Sequence, residues 1–271
     1  MIDSTLGTWQ GGPQWLALAA AGAVYAWGVR RARPWPALRS AAFAGALAAL
    51  AVALASGIDT EAQQRLSVHM VQHLLITMVA APLAVWSAPV RLALAAQHGA
   101  ARRRTGRVLH RMRPLGHPLT GLGLFALVAV VAHVPAVYEL ALRHPTVHAV
   151  EHAAFFWSAV ALWAPLIGAD PLPRRFGPVG RFGVMMAAMG VMTVGGAALT
   201  GADTIVYSSY LRPAAALEID PLADQALAGG IMWVGSMVVM LPPLLGLAWR
   251  ALVDEERAQQ VRDRRAAAGG P

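Results

Sequence analysis

Long apolar stretches alternate along the whole chain with short connections that are either rich in arginine or acidic. Seven stretches read as membrane-crossing helices, at 14–29, 39–56, 65–86, 118–138, 146–167, 181–200 and 224–249. Most reach the roughly 20 residues needed to cross a hydrocarbon core of about 30 Å. The expected fold is therefore all-α: one polytopic transmembrane bundle over 1–250, followed by a charged, frayed cytoplasmic tail over 251–271. No basic residue precedes the first stretch, so it reads as a retained span rather than a cleaved leader. Pro82, Pro135, Pro165, Pro242 and Pro243 fall inside or near spans, where kinks are tolerated if neighbouring helices satisfy the freed carbonyls.

Composition agrees with the pattern. Hydrophobic residues make up 57% and charged residues 13% of the 271 positions, against about 25% charged in ordinary soluble domains. There is no cysteine, which removes disulfides and thiolate metal sites from consideration. Lysine is absent as well, so all 22 basic residues are arginine. With alanine so abundant, this is the composition of a GC-rich bacterial genome.

The net charge of +8 matters less than its placement, which argues for membrane topology rather than nucleic-acid binding. Arginines cluster after the first, third, fifth and seventh spans, including Arg102, Arg103, Arg104 and Arg107 in the long third connection and Arg174 and Arg175 in the fifth. Only Arg65, Arg143 and Arg212 fall on the opposite side, which instead collects Asp3, Asp59, Glu61, Glu139, Asp203, Glu218, Asp220 and Asp224. The positive-inside rule then puts the N-terminus outside and the C-terminus in the cytoplasm. The arginines would face the anionic inner leaflet. Trp15, Trp86, Tyr138 and Trp249, near span ends, read as interfacial anchors.

Five histidines fall into one slab of this topology. At 1.5 Å per residue, His69 and His73 lie about 6 and 12 Å below the outer surface, His133 about 8 Å, and His148 and His152 about 3 and 9 Å. His69/His73 and His148/His152 are each spaced i, i+4, so each pair shares a helix face. Ionisable groups inside a membrane are functional by default, and neutral imidazole is the commonest metal ligand. A ligand set of nitrogens suits copper, zinc, iron or nickel. The bland alternative is that each histidine simply hydrogen-bonds a neighbouring helix. Glu151, and Asp59 and Asp224 at the outer rim, can orient imidazoles from behind. His144 reads as a solvated surface residue or an entry ligand, while His98, His110 and His117 sit in the basic cytoplasmic connection.

Methionines add a softer set. Met185, Met189 and Met192 recur along one face of the sixth span, the seventh contributes Met232, and Met70 adjoins His69. Thioethers suit Cu(I), which allows a relay; methionine also fills irregular gaps between helices. Both readings stand.

The segments HMVQHLLITMVAAPLAVWSAPVRL, AHVPAVYELALRHPTVHAVEHAAFFWSAVALWAPLIG and PLADQALAGGIMWVGSMVVMLP resemble the CtaG-type cytochrome c oxidase assembly factors of bacteria. The likeness rests on H-M-x-Q-H at His69, Met70, Gln72 and His73, and on H-x-P-x-x-Y at His133, Pro135 and Tyr138. H-x-x-E-H at His148, Glu151 and His152, and D-Q with the following G and M-W at Asp224, Gln225, Gly229, Met232 and Trp233, complete it. The resemblance implies a seven-helix protein of the bacterial cytoplasmic membrane that is not an enzyme. It would help mature a haem–copper oxidase by holding or delivering copper on the outer side, with oxidase subunits and extracytoplasmic copper donors as partners. A single-span copper donor with cysteine ligands shares the name, and its mechanism cannot apply to a chain without cysteine. Two other functions use similar histidine patterns: a b-haem electron carrier with bis-His ligation, and a di-iron membrane oxygenase. The latter's histidines are expected on the cytoplasmic side, opposite to these.

Overall fold

A computed structural model describes residues 8–171 and 176–268. Asp3, Arg174 and Arg175 lie outside the described residues, as does the end of the tail at 269–271. The described chain is helical, apart from an isolated bridge between Trp9 and Ser56. In chain order the helices are α1 (Pro13–Arg31), α2 (Ala37–Ala55), α3 (Gly57–Ala62), α4 (Leu66–Leu74), α5 (Ala81–Trp86), α6 (Pro89–Ala95) and α7 (Gly99–Arg111). They continue as α8 (Pro118–Ala132), α9 (Pro135–Arg143), α10 (Pro145–Ile167), α11 (Pro178–Thr200), α12 (Leu211–Ala216), α13 (Pro221–Gly230) and α14 (Ser236–Ala268). Proline opens seven of them, at positions 13, 89, 118, 135, 145, 178 and 221. Its missing N–H costs nothing at a first helical position.

Among the described residues, five helical segments are long and apolar enough to cross a membrane, and six if α8 and α9 count as one broken span. All seven predicted stretches are helical, but α1 is not among the five. Its ends carry Pro13, Gln14, Arg30 and Arg31, which dilute its apolar middle. The long segments are Ala37–Ala55, Leu66–Ala95, Pro145–Ile167, Pro178–Thr200 and Pro221–Arg264. The stretch expected to fray after residue 250 instead continues α14 as helix to Ala268. Its run of Glu, Arg, Gln and Ala is made of strong helix formers, and Arg262 pairs with Glu255 at 2.8 Å.

Polarity is arranged inside out. Leu16, Val24, Leu127, Val130, Trp157, Val194 and Leu245 are exposed, while His69, Gln72, His73, Glu151, His152 and Gln225 are buried. Exposed apolar area on this scale belongs against lipid or protein, not water. Small residues allow the helices to close in on each other. At Gly196 of α11 a Cβ would fall 2.7 Å from the Gly229 carbonyl oxygen, and at Gly229 of α13 one would fall 2.5 Å from that of Gly196. Alanine at either position would push the two backbones apart.

Two departures from regular α-helix interrupt long apolar segments. Leu75–Ala80 and Ile231–Gly235 are π-helical turns, following α4 and α13. Such turns are rare and collect at functional sites. The second packs against the end of α4, since a Cβ on Gly235 would meet the Leu74 side chain. The carbonyl of Thr77, inside the first π turn, is taken up by the Trp163 indole of α10 at 3.1 Å.

The fourth predicted span is broken. α8 and α9 meet at 75°, because Pro135 cannot donate the hydrogen bond that would continue α8. The bend swings Tyr138 inward. Expected as an interfacial anchor, it is 1% exposed and stacks on Tyr207 with ring centroids 4.0 Å apart. Trp15, Trp86 and Trp249 are exposed, as an anchor requires.

Candidate metal centre

α4 carries His69 and His73, and its start is fixed from a distance. Arg65 at its N-cap gives no side-chain bond. The Asp224 carboxylate of α13 supplies it, accepting from Leu66 N at 2.7 Å, Ser67 N at 3.4 Å and the Ser67 hydroxyl. A carboxylate at a helix N-terminus satisfies orphan N–H groups and suits the helix dipole. Asp224 therefore positions the helix rather than touching an imidazole. Asp59 also acts at one remove: Gln72 Nε2 donates to Asp59 Oδ1 and to Ala53 O, both at 2.8 Å. That buried amide ties α4 to the last turn of α2.

α10 brings His148, Glu151 and His152 to the same place. Ring centroids lie 4.4 Å apart for His69 and His73, 4.1 Å for His148 and His152, 5.3 Å for His69 and His148, and 5.5 Å for His73 and His152. All four imidazoles are buried, His69 completely. One ligand atom each from His69, His148 and His152 lie within 4.8 Å of one another, and so do one each from His69, His73 and Glu151. Glu151, expected only behind an imidazole, thus stands level with the imidazole nitrogens. Both its oxygens are buried without a partner, as are His148 Nε2 and His152 Nε2. Buried polar atoms ordinarily find partners, so this many buried atoms without one in a single small region is a feature to be explained.

The fifth histidine stands apart. His133 caps α8 at the bend, is half-buried, and belongs to neither tight group. Its Nδ1 donates to Ala129 O at 2.7 Å, which leaves Nε2 with the lone pair and no partner. His144 is exposed.

Protons at the centre follow from three tyrosines that spacing alone does not reveal. Tyr210 Oη donates to Ala62 O at 3.0 Å, because a carbonyl can only accept. Its oxygen then accepts from His69 Nδ1 at 3.0 Å and from Tyr138 Oη at 3.1 Å. His69 is thereby held with its proton on Nδ1 and the lone pair on Nε2, the arrangement that second-shell partners give to metal-binding histidines. Tyr207 closes the bend, donating to the His133 carbonyl at 3.1 Å. Outside the spans, burial pushes the phenols of Tyr207 and Tyr210 above their usual range, so both stay neutral donors.

The connection carrying Tyr207 and Tyr210 is clamped in place. Gln225 accepts from Val206 N at 2.8 Å and donates to Thr204 O at 3.0 Å. Glu139 of α9 accepts from Ser208 Oγ at 2.6 Å and Ser209 Oγ at 3.1 Å, and pairs with Arg143 at 2.5 Å. The D-Q pair of the sequence is thus positional, Asp224 setting α4 and Gln225 holding the cover. Of the methionines, Met70, Met192 and Met232 lie beside His73 and His133 around a small cavity, while Met185 is packed into the main core and Met189 against it.

This arrangement defines a class: a polytopic helical membrane protein that buries a cluster of histidines in its core. Residues 23–253 match the family of cytochrome c oxidase caa3 assembly factors, and the chain belongs to that family. It is also 27% identical over 247 residues to an uncharacterized protein of Mycobacterium bovis, and equally so to one of Mycobacterium tuberculosis; each match covers 88% of this chain. A Mycobacterium leprae protein is 26% identical over 249 residues. The chain spans only 37–38% of the length of these relatives. No solved structure matches it.

Proposed function

We propose that this member of the oxidase assembly family holds copper, as cargo, in the outer-third histidine cluster and passes it to a haem–copper cytochrome c oxidase. The observation that carries this reading is the meeting of His69, His148 and His152 ligand atoms within 4.8 Å in a buried setting. Nitrogen donors of this kind suit copper among the transition metals. The absence of thiolate ligands keeps the grip looser than a cysteine site would, which suits a donor. Its role is to hold and transfer rather than to catalyse.

The topology that goes with this function has seven crossings, N-terminus outside, C-terminus cytoplasmic, in a bacterial cytoplasmic membrane. The cluster then opens toward extracytoplasmic copper donors, and the client oxidase docks alongside within the bilayer. Helix α7, in which no residue is buried and which carries Arg102, Arg103, Arg104, Arg107 and Arg111, would lie at the anionic inner leaflet. The close packing of the four imidazoles favours a metal ion over a haem, whose macrocycle must fit between its two axial histidines.

Purified in mild detergent, the full chain is expected to carry copper near one equivalent or more, without a Soret band. A Soret band, iron in place of copper, or no metal even after copper is offered would each overturn the reading.

A further inference from the structure

Glu151 is the only acid in either group of close-set ligand atoms. It is 9% exposed, and both its carboxyl oxygens are buried with no donor to satisfy them. Among the described residues no arginine pairs with it; Arg143 of the neighbouring α9 pairs with Glu139 instead. Buried carboxylates are ordinarily paired with a cation or bound to a metal ion. Glutamine would fill the same space with no charge to place, so packing alone does not account for an acid here.

One Glu151 oxygen stands within 4.8 Å of ligand atoms on both His69 and His73. The Nε2 atoms of those histidines are 2.9 Å apart, close to the roughly 3.3 Å between two donors on one tetrahedral ion with bonds of about 2.0 Å. Two imidazoles and a carboxylate are a recurrent ligand set for divalent ions. The three imidazoles of His69, His148 and His152 bring no charge of their own. His69 belongs to both sets and, with Nδ1 turned to Tyr210, has only the Nε2 lone pair to give. The two sets are therefore alternative seats for one ion, and they differ in charge.

We propose that Glu151 is itself a metal ligand, forming with His69 and His73 the seat for a divalent ion and leaving the three-imidazole set to Cu(I). This rests on the copper reading of the cluster given above. An ion held by neutral imidazoles alone keeps its whole charge in a medium of low dielectric, and the cost of burying charge rises with its square. The carboxylate lowers the net charge of a divalent site from two to one. Its Coulomb attraction to a divalent ion is also twice that to a monovalent one. Removing it therefore penalises Cu(II) or Zn(II) about twice as heavily, on a logarithmic scale, as Cu(I). Glu151 thus decides which charge of ion the cluster prefers.

The test uses the full chain in detergent micelles, made with glutamate carrying carbon-13 in its side-chain carboxyl group and loaded with Cu(II). Electron–nuclear double resonance is expected to show carbon-13 coupling beside that of imidazole nitrogen. Glu151→Gln should lose the carbon signal and keep the nitrogen one. Chelator competition with Cu(II), with Zn(II), and with Cu(I) supplied anaerobically as its bicinchoninate complex then reads selectivity. Loss of an outer partner already costs about 10- to 100-fold, so Glu151→Gln should weaken both divalent ions by about 100-fold and Cu(I) by about tenfold. Nitrogen-bound Cu(II) without carbon-13 coupling, or equal losses for all three ions, would overturn the role of Glu151 and leave the copper reading intact. No copper bound in either oxidation state by the unsubstituted protein would overturn both. The labelling measurement needs no substitution, so a variant that fails to fold does not blunt it.

Discussion

The Nε2 atoms of His69 and His73 lie 2.9 Å apart, and one proton must sit between them. Tyr210 keeps the His69 proton on Nδ1, so in the ion-free protein His73 donates from Nε2 and its Nδ1 is bare. A metal ion taken up by His69 Nε2 would displace that contact and free His73 to change tautomer.

Replacing His73 and His152 together by Ala should abolish metal binding while helix content and membrane insertion stay unchanged, since Ala is the best tolerated residue in a helix. Metal content by mass spectrometry, with circular dichroism on the same sample, checks this. Unchanged metal content would remove the cluster from consideration.

Tyr210→Phe deletes the hydroxyl that sets the His69 tautomer but leaves the ring in place. Loss of an outer partner of this kind lowers metal affinity by about 10- to 100-fold. Competition with a chelator of known strength measures it. Equal affinity in the variant would mean that Tyr210 only braces Ala62 and Tyr138.

Asp224→Ala removes the carboxylate that caps α4 from another helix. The expected cost is about 1–2 kcal/mol of stability, seen as a lower melting temperature in detergent, with metal affinity reduced as well. Asp224→Asn should recover part of both. A melting temperature unaffected by either change would show that the α4 terminus is held by other means.

Gly229→Ala places a methyl group 2.5 Å from the Gly196 carbonyl oxygen. Neither atom is the end of a flexible side chain, so the helices must separate, at about 1–3 kcal/mol as for other overpacked sites. Thermal unfolding monitored by tryptophan fluorescence would register the loss. Gly123, which has open space where a Cβ would go, is the matched control, and its alanine variant should melt as the parent does.

The histidine pairs were legible because i, i+4 spacing is a local property of one helix. That the pairs from α4 and α10 meet followed from estimated depth, which needed only rise per residue. The role of Asp224 was not legible: the residues it caps, Leu66 and Ser67, are more than 150 positions away. Nor were the π turns, because their sequences, LITMVA and IMWVG, differ in no obvious way from ordinary apolar helix. Tyr138 lies elsewhere than its span-end position predicts, for a related reason. Pro135 signals a break, but not its direction, and the 75° bend carries the ring to the protein's interior instead of the lipid headgroups. Glu151 does carry a signal in the sequence: at i+3 from His148 it shares the histidine face, so its oxygens arrive where the nitrogens do.

The cover formed by residues 201–210 has a consequence for timing. Gln225, Glu139 and Tyr207 fasten it to three different elements, and the imidazoles beneath are shut away from water. If the cluster holds an ion, its release would then require those fastenings to loosen as well as the nitrogen donors to let go, and a chelator's rate of extraction would level off as its concentration rises.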